Sequence, residues 1–159
     1  MKSKRTWQEK LADSKDFPKV SPIDDQMSPR WGSGTFVIPA PLEVDGLMKR
    51  IGKGKLITIN QIREELARKH NATIACPITT GIFAWIAAHA ADELEQAGKK
   101  KVTPYWRTLK ANGELNPKYP GGIENLKSRL KGEGHRVVKR GKRFFVEDFE
   151  KRMARLKID

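Results

Sequence analysis

The stretch from residue 41 to residue 98 constrains the fold most, because its apolar residues recur at helical spacing in three successive runs. Pro41 suits a first helical position. Leu42, Leu47, Met48 and Ile51 then fall close to helical spacing, and Gly52-Lys53-Gly54-Lys55 ends that helix. Thr58 and Gln61 have the spacing of a capping box, in which each side chain satisfies the other's backbone donor, so a second helix begins there. Ile62, Leu66 and Ala67 mark its buried stripe, and His70-Asn71 its end. After a turn, Cys76-Pro77 opens a third helix. Ile78, Ile82, Trp85, Ile86 and His89 step by four, three, one and three and form one strong face. Gly98 stops this helix. The second and third helices, joined by a short turn, read as a helix-turn-helix with the third as its recognition helix.

Downstream, Ile123, Leu126 and Leu130 predict a fourth helix closed by Gly134. The runs His135 to Lys139 and Lys142 to Val146 flank Arg140-Gly141, which predicts a β-hairpin, a basic wing. Asp148 can cap a last helix that buries Phe149, Met153 and Leu156. Upstream, Trp7 to Ala12 suits a short helix, whereas Pro18, Pro22, Pro29, Pro39 and Gly32-Ser33-Gly34 break any long element. The expected architecture is mainly α. It consists of a winged helix-turn-helix domain over 41–159, with a small β-hairpin wing, and an extended, weakly structured arm over 1–40. Trp31 and Phe36 either pin that arm to the domain or belong to a free tail.

The formal net charge of +13 and a pI of about 10 favour a polyanionic partner, nucleic acid before others. Residues 135–159 concentrate this charge, with nine Lys/Arg against four Asp/Glu. No apolar run approaches the roughly 18 residues of a membrane span, so no membrane association is expected. Lys2, Lys4 and Arg5 have no apolar segment behind them, so no signal peptide is expected. The single cysteine, Cys76, excludes an internal disulfide and fits a reducing, cytoplasmic compartment. Three scattered histidines and one cysteine suggest no metal site, and no cofactor is expected. A monomer is expected.

The stretch Val102 to Gly122, with Pro104-Tyr105-Trp106-Arg107 at its centre, resembles the active-site segment of the alkylguanine-DNA alkyltransferases. That family reads Pro-Cys-His-Arg there, followed by a short polar turn and a Gly-Gly pair. Pro104, Arg107, the turn at Asn112-Gly113, Gly121-Gly122 and the helix ending Leu130-Lys131-Gly132-Glu133-Gly134 match. Tyr105 stands in the nucleophile's place and Trp106 in that of the activating histidine. The resemblance covers roughly residues 36–138, and the connection from the third helix to Pro104 is longer than the family's.

A phenol, with an unperturbed pKa of about 10, is a harder and weaker nucleophile toward carbon than a thiolate. An indole nitrogen only donates and cannot act as a base. Alkyltransferase-like relatives carry Trp in place of the Cys and bind alkylated bases without repairing them. The resemblance therefore implies a non-enzymatic, DNA-binding alkyltransferase-like protein, a sensor of alkylated bases on duplex DNA. Tyr105, Trp106 and Arg107 would form the base pocket, as the alternative to core residues and a structural salt bridge. Thr79 and Thr80 of the recognition helix would meet DNA, and Lys139, Arg140, Lys142 and Arg143 would track phosphates.

The resemblance aligns Glu133 with the glutamate that orients the family's histidine, and with Trp106 in that position the relay loses its middle member. Two base-flipping residues also differ: Thr80 replaces an arginine that enters the minor groove, and Ile59 replaces a tyrosine. Two alternatives stay open. One is a cysteine-dependent alkyltransferase acting through Cys76 at a helix N-terminus. The other is a winged-helix module for nucleic acid or protein without a lesion pocket.

Overall fold

The computed structural model describes residues 5–156; Lys2 and Lys4, the basic residues weighed as a leader, lie outside them. The architecture is built around one long helix. The described residues form six α-helices: α1 (Trp7–Ala12), α2 (Ser28–Trp31), α3 (Pro41–Lys49), α4 (Ile59–Lys69), α5 (Pro77–Gln96) and α6 (Gly122–Gly132). Seven short strands accompany them: β1 (Lys19–Pro22), β2 (Thr35–Ile38), β3 (Ile57–Thr58), β4 (Ile74–Ala75), β5 (Thr108–Leu109), β6 (Val137–Arg140) and β7 (Arg143–Val146). They form a three-stranded sheet in the order β1-β2-β4, a parallel pair β3-β5 and a hairpin β6-β7.

Packing on α5 follows from side-chain size. Thr80, Ala84, Ala87, Ala88 and Ala91 lie along one face of α5 and are buried. Small residues let neighbouring helices approach closely, so α1 and α3 pack there. Val44, Leu47 and Met48 of α3 fill the space opposite, each at most 5 % exposed. Leu42, expected in that apolar stripe, is 52 % exposed; the helix turns Val44 inward instead.

The face of α5 expected to be strong from its apolar spacing is not the one that packs inward throughout. The steps from Ile78 to His89 and from Thr80 to Ala91 are identical but shifted by two residues, about 200° around a helix. Close packing selects the small set, and Ile78 and Ile82 are left exposed.

Residues 5–40 carry more regular structure than the proline and glycine pattern predicts. Thr6 and Glu9 form a capping box on α1. Both carboxylate oxygens of Glu93 on α5 accept the N–H groups of Trp7 and Gln8, at 3.0 and 3.1 Å. These are unsatisfied donors at the positive end of a helix, where an anion is stabilising. β2 lies between β1, antiparallel to it, and β4, parallel to it, with Val37 opposite both Val20 and Ala75. Trp31 packs edge-on against Phe36, with ring centroids 5.2 Å apart, a contact within the segment, and Phe36 on β2 stands opposite Ile74 of β4.

The capping box of α4 forms as its spacing predicts, with Thr58 Oγ1 accepting from the Gln61 N–H and Gln61 Oε1 from the Thr58 N–H. Ile62, Leu66 and Ala67 are buried. The connection from α4 to α5 is more than a turn, because it contains β4, whose pairing with β2 holds the two helices in place. The hairpin expected beyond α6 is present, with Arg140 paired to Arg143. The last helix is only a 3-10 turn over Phe149–Arg152, and Asp148 precedes it in a left-handed conformation without a side-chain cap.

Replacing Thr58 by Ala removes one of two reciprocal caps and should cost about 1 kcal/mol. Urea denaturation should show this as a lowered midpoint with unchanged slope. Thr58→Ser, which keeps the acceptor, should restore most of the loss.

Candidate nucleic-acid interface

A 3-10 turn over Tyr105–Arg107 leads directly into β5, which pairs with β3 ahead of α4. This connection seats the turn between α3, α5 and α6. Tyr105 is 0 % exposed. Its ring meets Trp106 and Tyr119 edge-on, at 5.3 and 6.2 Å between centroids. Its hydroxyl accepts a hydrogen bond of 2.9 Å from Asn125 Nδ2, which also donates to the Pro120 carbonyl. Gly121 makes room for this arrangement: its φ is +76°, and a Cβ there would collide with the Asn125 side chain. Burial pushes the Tyr105 phenol above its ordinary pKa, against the opposing pull of the Arg129 charge and the Asn125 hydrogen bond. Tyr105 is thus a protonated, enclosed phenol.

Trp106 and Arg107 converge on Glu133. The indole Nε1 donates to Glu133 Oε2 at 3.0 Å. The Arg107 guanidinium donates to both carboxylate oxygens through Nε and to Oε2 through Nη2, the latter at 2.7 Å. Its Nη1 donates to the Ile51 carbonyl at 2.6 Å. Burial opposes ionisation of Glu133, but the hydrogen bonds from Arg107 and Trp106, the Arg107 charge and the Gly54 N–H outweigh it, and the carboxyl stays below its ordinary pKa. Trp106 is therefore a donor to Glu133 that cannot carry a proton onward. Arg107 is held in a structural ion pair.

Arg129 of α6 covers this turn. Its guanidinium lies 4.4 Å from the Trp106 ring centroid and 5.5 Å from that of Tyr105. Its Nη2 donates to Glu95 of α5 at 2.7 Å, and its Nε to Asn125 Oδ1 at 3.1 Å. The expected base-pocket residues are brought together, but as an enclosed cluster roofed by an arginine.

The other expected contacts divide. Thr80 is fully buried, and its hydroxyl donates to the Cys76 carbonyl at 2.6 Å, a bond within the helix that leaves nothing for DNA. Thr79 has a buried hydroxyl without a hydrogen-bond partner among the described residues. Ile59 packs against the core. Cys76 is the N-cap of α5 and 5 % exposed. Lys139, Arg140, Lys142 and Arg143 are all exposed on the β6-β7 hairpin. Lys139 lies over Phe144 and Arg140 over Phe145, at 5.8 and 5.3 Å from the ring centroids, which stiffens two long side chains.

Sequence spacing missed the surface beside α5. A groove of about 710 Å³ runs along it, lined by Ile78, Ile82, Trp85, Lys110, Pro117 and Lys118 among others. The backbone carbonyl of Lys118 is 3.2 Å from both Trp85 Nε1 and His89 Nε2, which ties the 116–118 turn to the helix. The signal was the second stripe of small residues on α5, which competes with the larger apolar one for the interior.

The fold is alkyltransferase-like. Solved structures that share it include S. pombe Atl1 in complex with damaged DNA containing O6-carboxymethylguanine, and S. pombe ATL in complex with DNA. The first superposes with a TM-score of 0.52 at 18% identity, the second with 0.53 at 19%, and each match covers 73% of this chain and 94% of the other. No family model and no curated protein sequence matches the chain.

The Glu133 cluster makes a pH prediction. A carboxyl whose folded pKa is lowered contributes stability that is present above its unfolded pKa, about 4.3, and is lost as pH falls through the lower folded value. Stability should therefore drop on acidification below that range, and Glu133→Gln should flatten the drop. Glu133→Ala, which strands a largely buried Arg107, should cost about 3 kcal/mol at neutral pH. Denaturant titrations from pH 3 to 7 check both.

Proposed function

We propose that this protein is a non-enzymatic, alkyltransferase-like DNA-binding protein that acts in the recognition of alkylated duplex DNA. The observation that carries this reading is the state of the active-site turn within a fold shared with proteins crystallised on DNA. Where alkyl transfer needs a thiolate and a base, the chain has a buried, protonated phenol and an indole that only donates. The net charge of +13 supports a polyanionic partner. The β6-β7 hairpin would serve as the wing of a winged helix, with its four exposed cations on phosphates, and α5 as the recognition helix.

Full burial of Tyr105 favours one rival within the same class: DNA binding without a lesion pocket. For Tyr105 and Trp106 to receive a base, Arg129 must leave Glu95 and Asn125. The two readings differ in preference for the lesion, which a titration of duplexes with and without O6-alkylguanine measures. The proposed sensor binds the alkylated duplex more tightly; equal affinity leaves only the general DNA-binding reading. Intact-mass analysis after the same incubation should show no alkyl-sized gain. A gain abolished by Cys76→Ala would make the protein an alkyltransferase.

Binding should also weaken steeply with salt. Each neutralised phosphate contributes about −0.9 to the slope of log K against log salt. Removing two of Lys139, Arg140, Lys142 and Arg143 should flatten the slope by about two, equally for plain and alkylated DNA.

A further inference from the structure

The C-terminal half of α5 borders a cavity of about 550 Å³, a size within the range of small-molecule sites. The way α5 ends creates it. Gly98 takes a φ of +95°, and the Gly98 and Lys99 N–H groups donate to the Glu95 and Leu94 carbonyls at 2.9 and 3.0 Å. A helix end of this kind reverses the chain, and residues 99–104 come back beside α5. Ala87, Ala90 and Ala91 of α5, each at most 2% exposed, face the cavity together with Leu11 of α1 and Val102 of the returning segment. The small side chains leave space open where α1, α3 and the returning segment meet.

The charged lining consists of Asp45 and Lys49 of α3 and Lys99 and Lys101 of the returning segment. Asp45 is 1% exposed. Its Oδ1 accepts from the Thr103 hydroxyl at 2.7 Å, and its Oδ2 lies 3.0 Å from Lys49 Nζ. A buried carboxylate costs stability unless it is paired and hydrogen-bonded. Both oxygens of Asp45 are so engaged, and they hold the returning segment against α3. Lys99 and Lys101 remain. Both are exposed, and among the described residues neither pairs with a carboxylate. Glu93 and Glu95, close to them in sequence, bind α1 and Arg129 instead. No aromatic ring among the described residues lines the cavity, so it offers a nucleobase no stacking platform. An occupant must combine an aliphatic body with negative charge.

We propose that this cavity binds an aliphatic carboxylate of medium chain length, with its chain against Leu11 and the α5 alanines and its carboxylate between Lys99 and Lys101. The Asp45-Thr103 hydrogen bond fixes the segment that carries both lysines, which lowers the cost of ordering it on binding. Thr103 and Pro104 also line the cavity, and Pro104 is the N-cap of the Tyr105 turn, so the ligand would sit directly behind that turn. The proposal does not rest on the DNA-binding reading.

The test titrates the full chain calorimetrically with decanoate, kept below its micellar concentration. Decanoate should bind saturably. Acetate, which lacks the chain, and decyltrimethylammonium, which reverses the charge, should not bind. Lys99→Ala with Lys101→Ala should weaken decanoate binding about tenfold, the worth of two exposed ion pairs. Both lysines are exposed, so unchanged circular dichroism should accompany the substitutions. In a chain with labelled alanine methyl groups, decanoate should shift the resonances of Ala87, Ala90 and Ala91 and leave those of Ala111 and Ala154 in place.

Absence of saturable binding, equal binding of decyltrimethylammonium, or undiminished affinity of the double variant would overturn the site. Shifts that spare all three α5 alanines would overturn it too, as would binding of anionic vesicles without binding of free decanoate. Loss of duplex affinity in the double variant, with decanoate unbound by wild type, would assign the two lysines to phosphates and overturn the proposal.

Discussion

The close approach of α1 and α3 to α5 depends on a stripe of small side chains, and much of the remaining structure follows from it. Ala84, Ala87, Ala88 and Ala91 leave space that Val44, Leu47 and Met48 fill, so α5 is oriented by volume more than by hydrophobicity. Two consequences follow from this orientation. Glu93 and Glu95 are carried to positions where one caps α1 and the other holds Arg129. Ile78 and Ile82 are turned out to solvent beside a groove rimmed by lysines. The same rotation that builds the core thus exposes two of the helix's isoleucines.

Tyr105, Trp106 and Arg107 form a turn whose side chains are two aromatic rings and a guanidinium. Glu133 unites an indole, a guanidinium and, through Arg107, the Ile51 carbonyl. A catalytic relay needs a member that gains and loses a proton. This cluster has an indole that only donates and a phenol whose ionisation burial disfavours. The cluster holds α6 against the turn, and Arg129 closes it from above.

Much of the fold was legible because local chemistry specified it. The reciprocal caps at Thr58 and Gln61, Pro77 at the first position of α5, and the Arg140-Gly141 turn between two strands each depend on residues within a few positions of one another. The N-terminal segment was less legible. Its prolines and glycines do interrupt it, but β1 and β2 gain their order from pairing with each other and with β4, far along the chain. Leu42 and Asp148 failed for a similar reason, since neighbours elsewhere in the chain decide which way a short helix faces and whether a final one continues.

By itself the sequence determined the positive charge, the starts of α4 and α5 and the absence of a thiol from the turn at 105–107, because these depend on residue identity and short-range spacing. It presented two stripes on α5 with identical spacing and no means of choosing between them. The tertiary structure decided that choice, because only the distance to α1 and α3 makes small volume worth more than large apolar area. It also decided that Tyr105 is enclosed, since Asn125, Tyr119 and Arg129 meet it only once α6 has folded back across the turn.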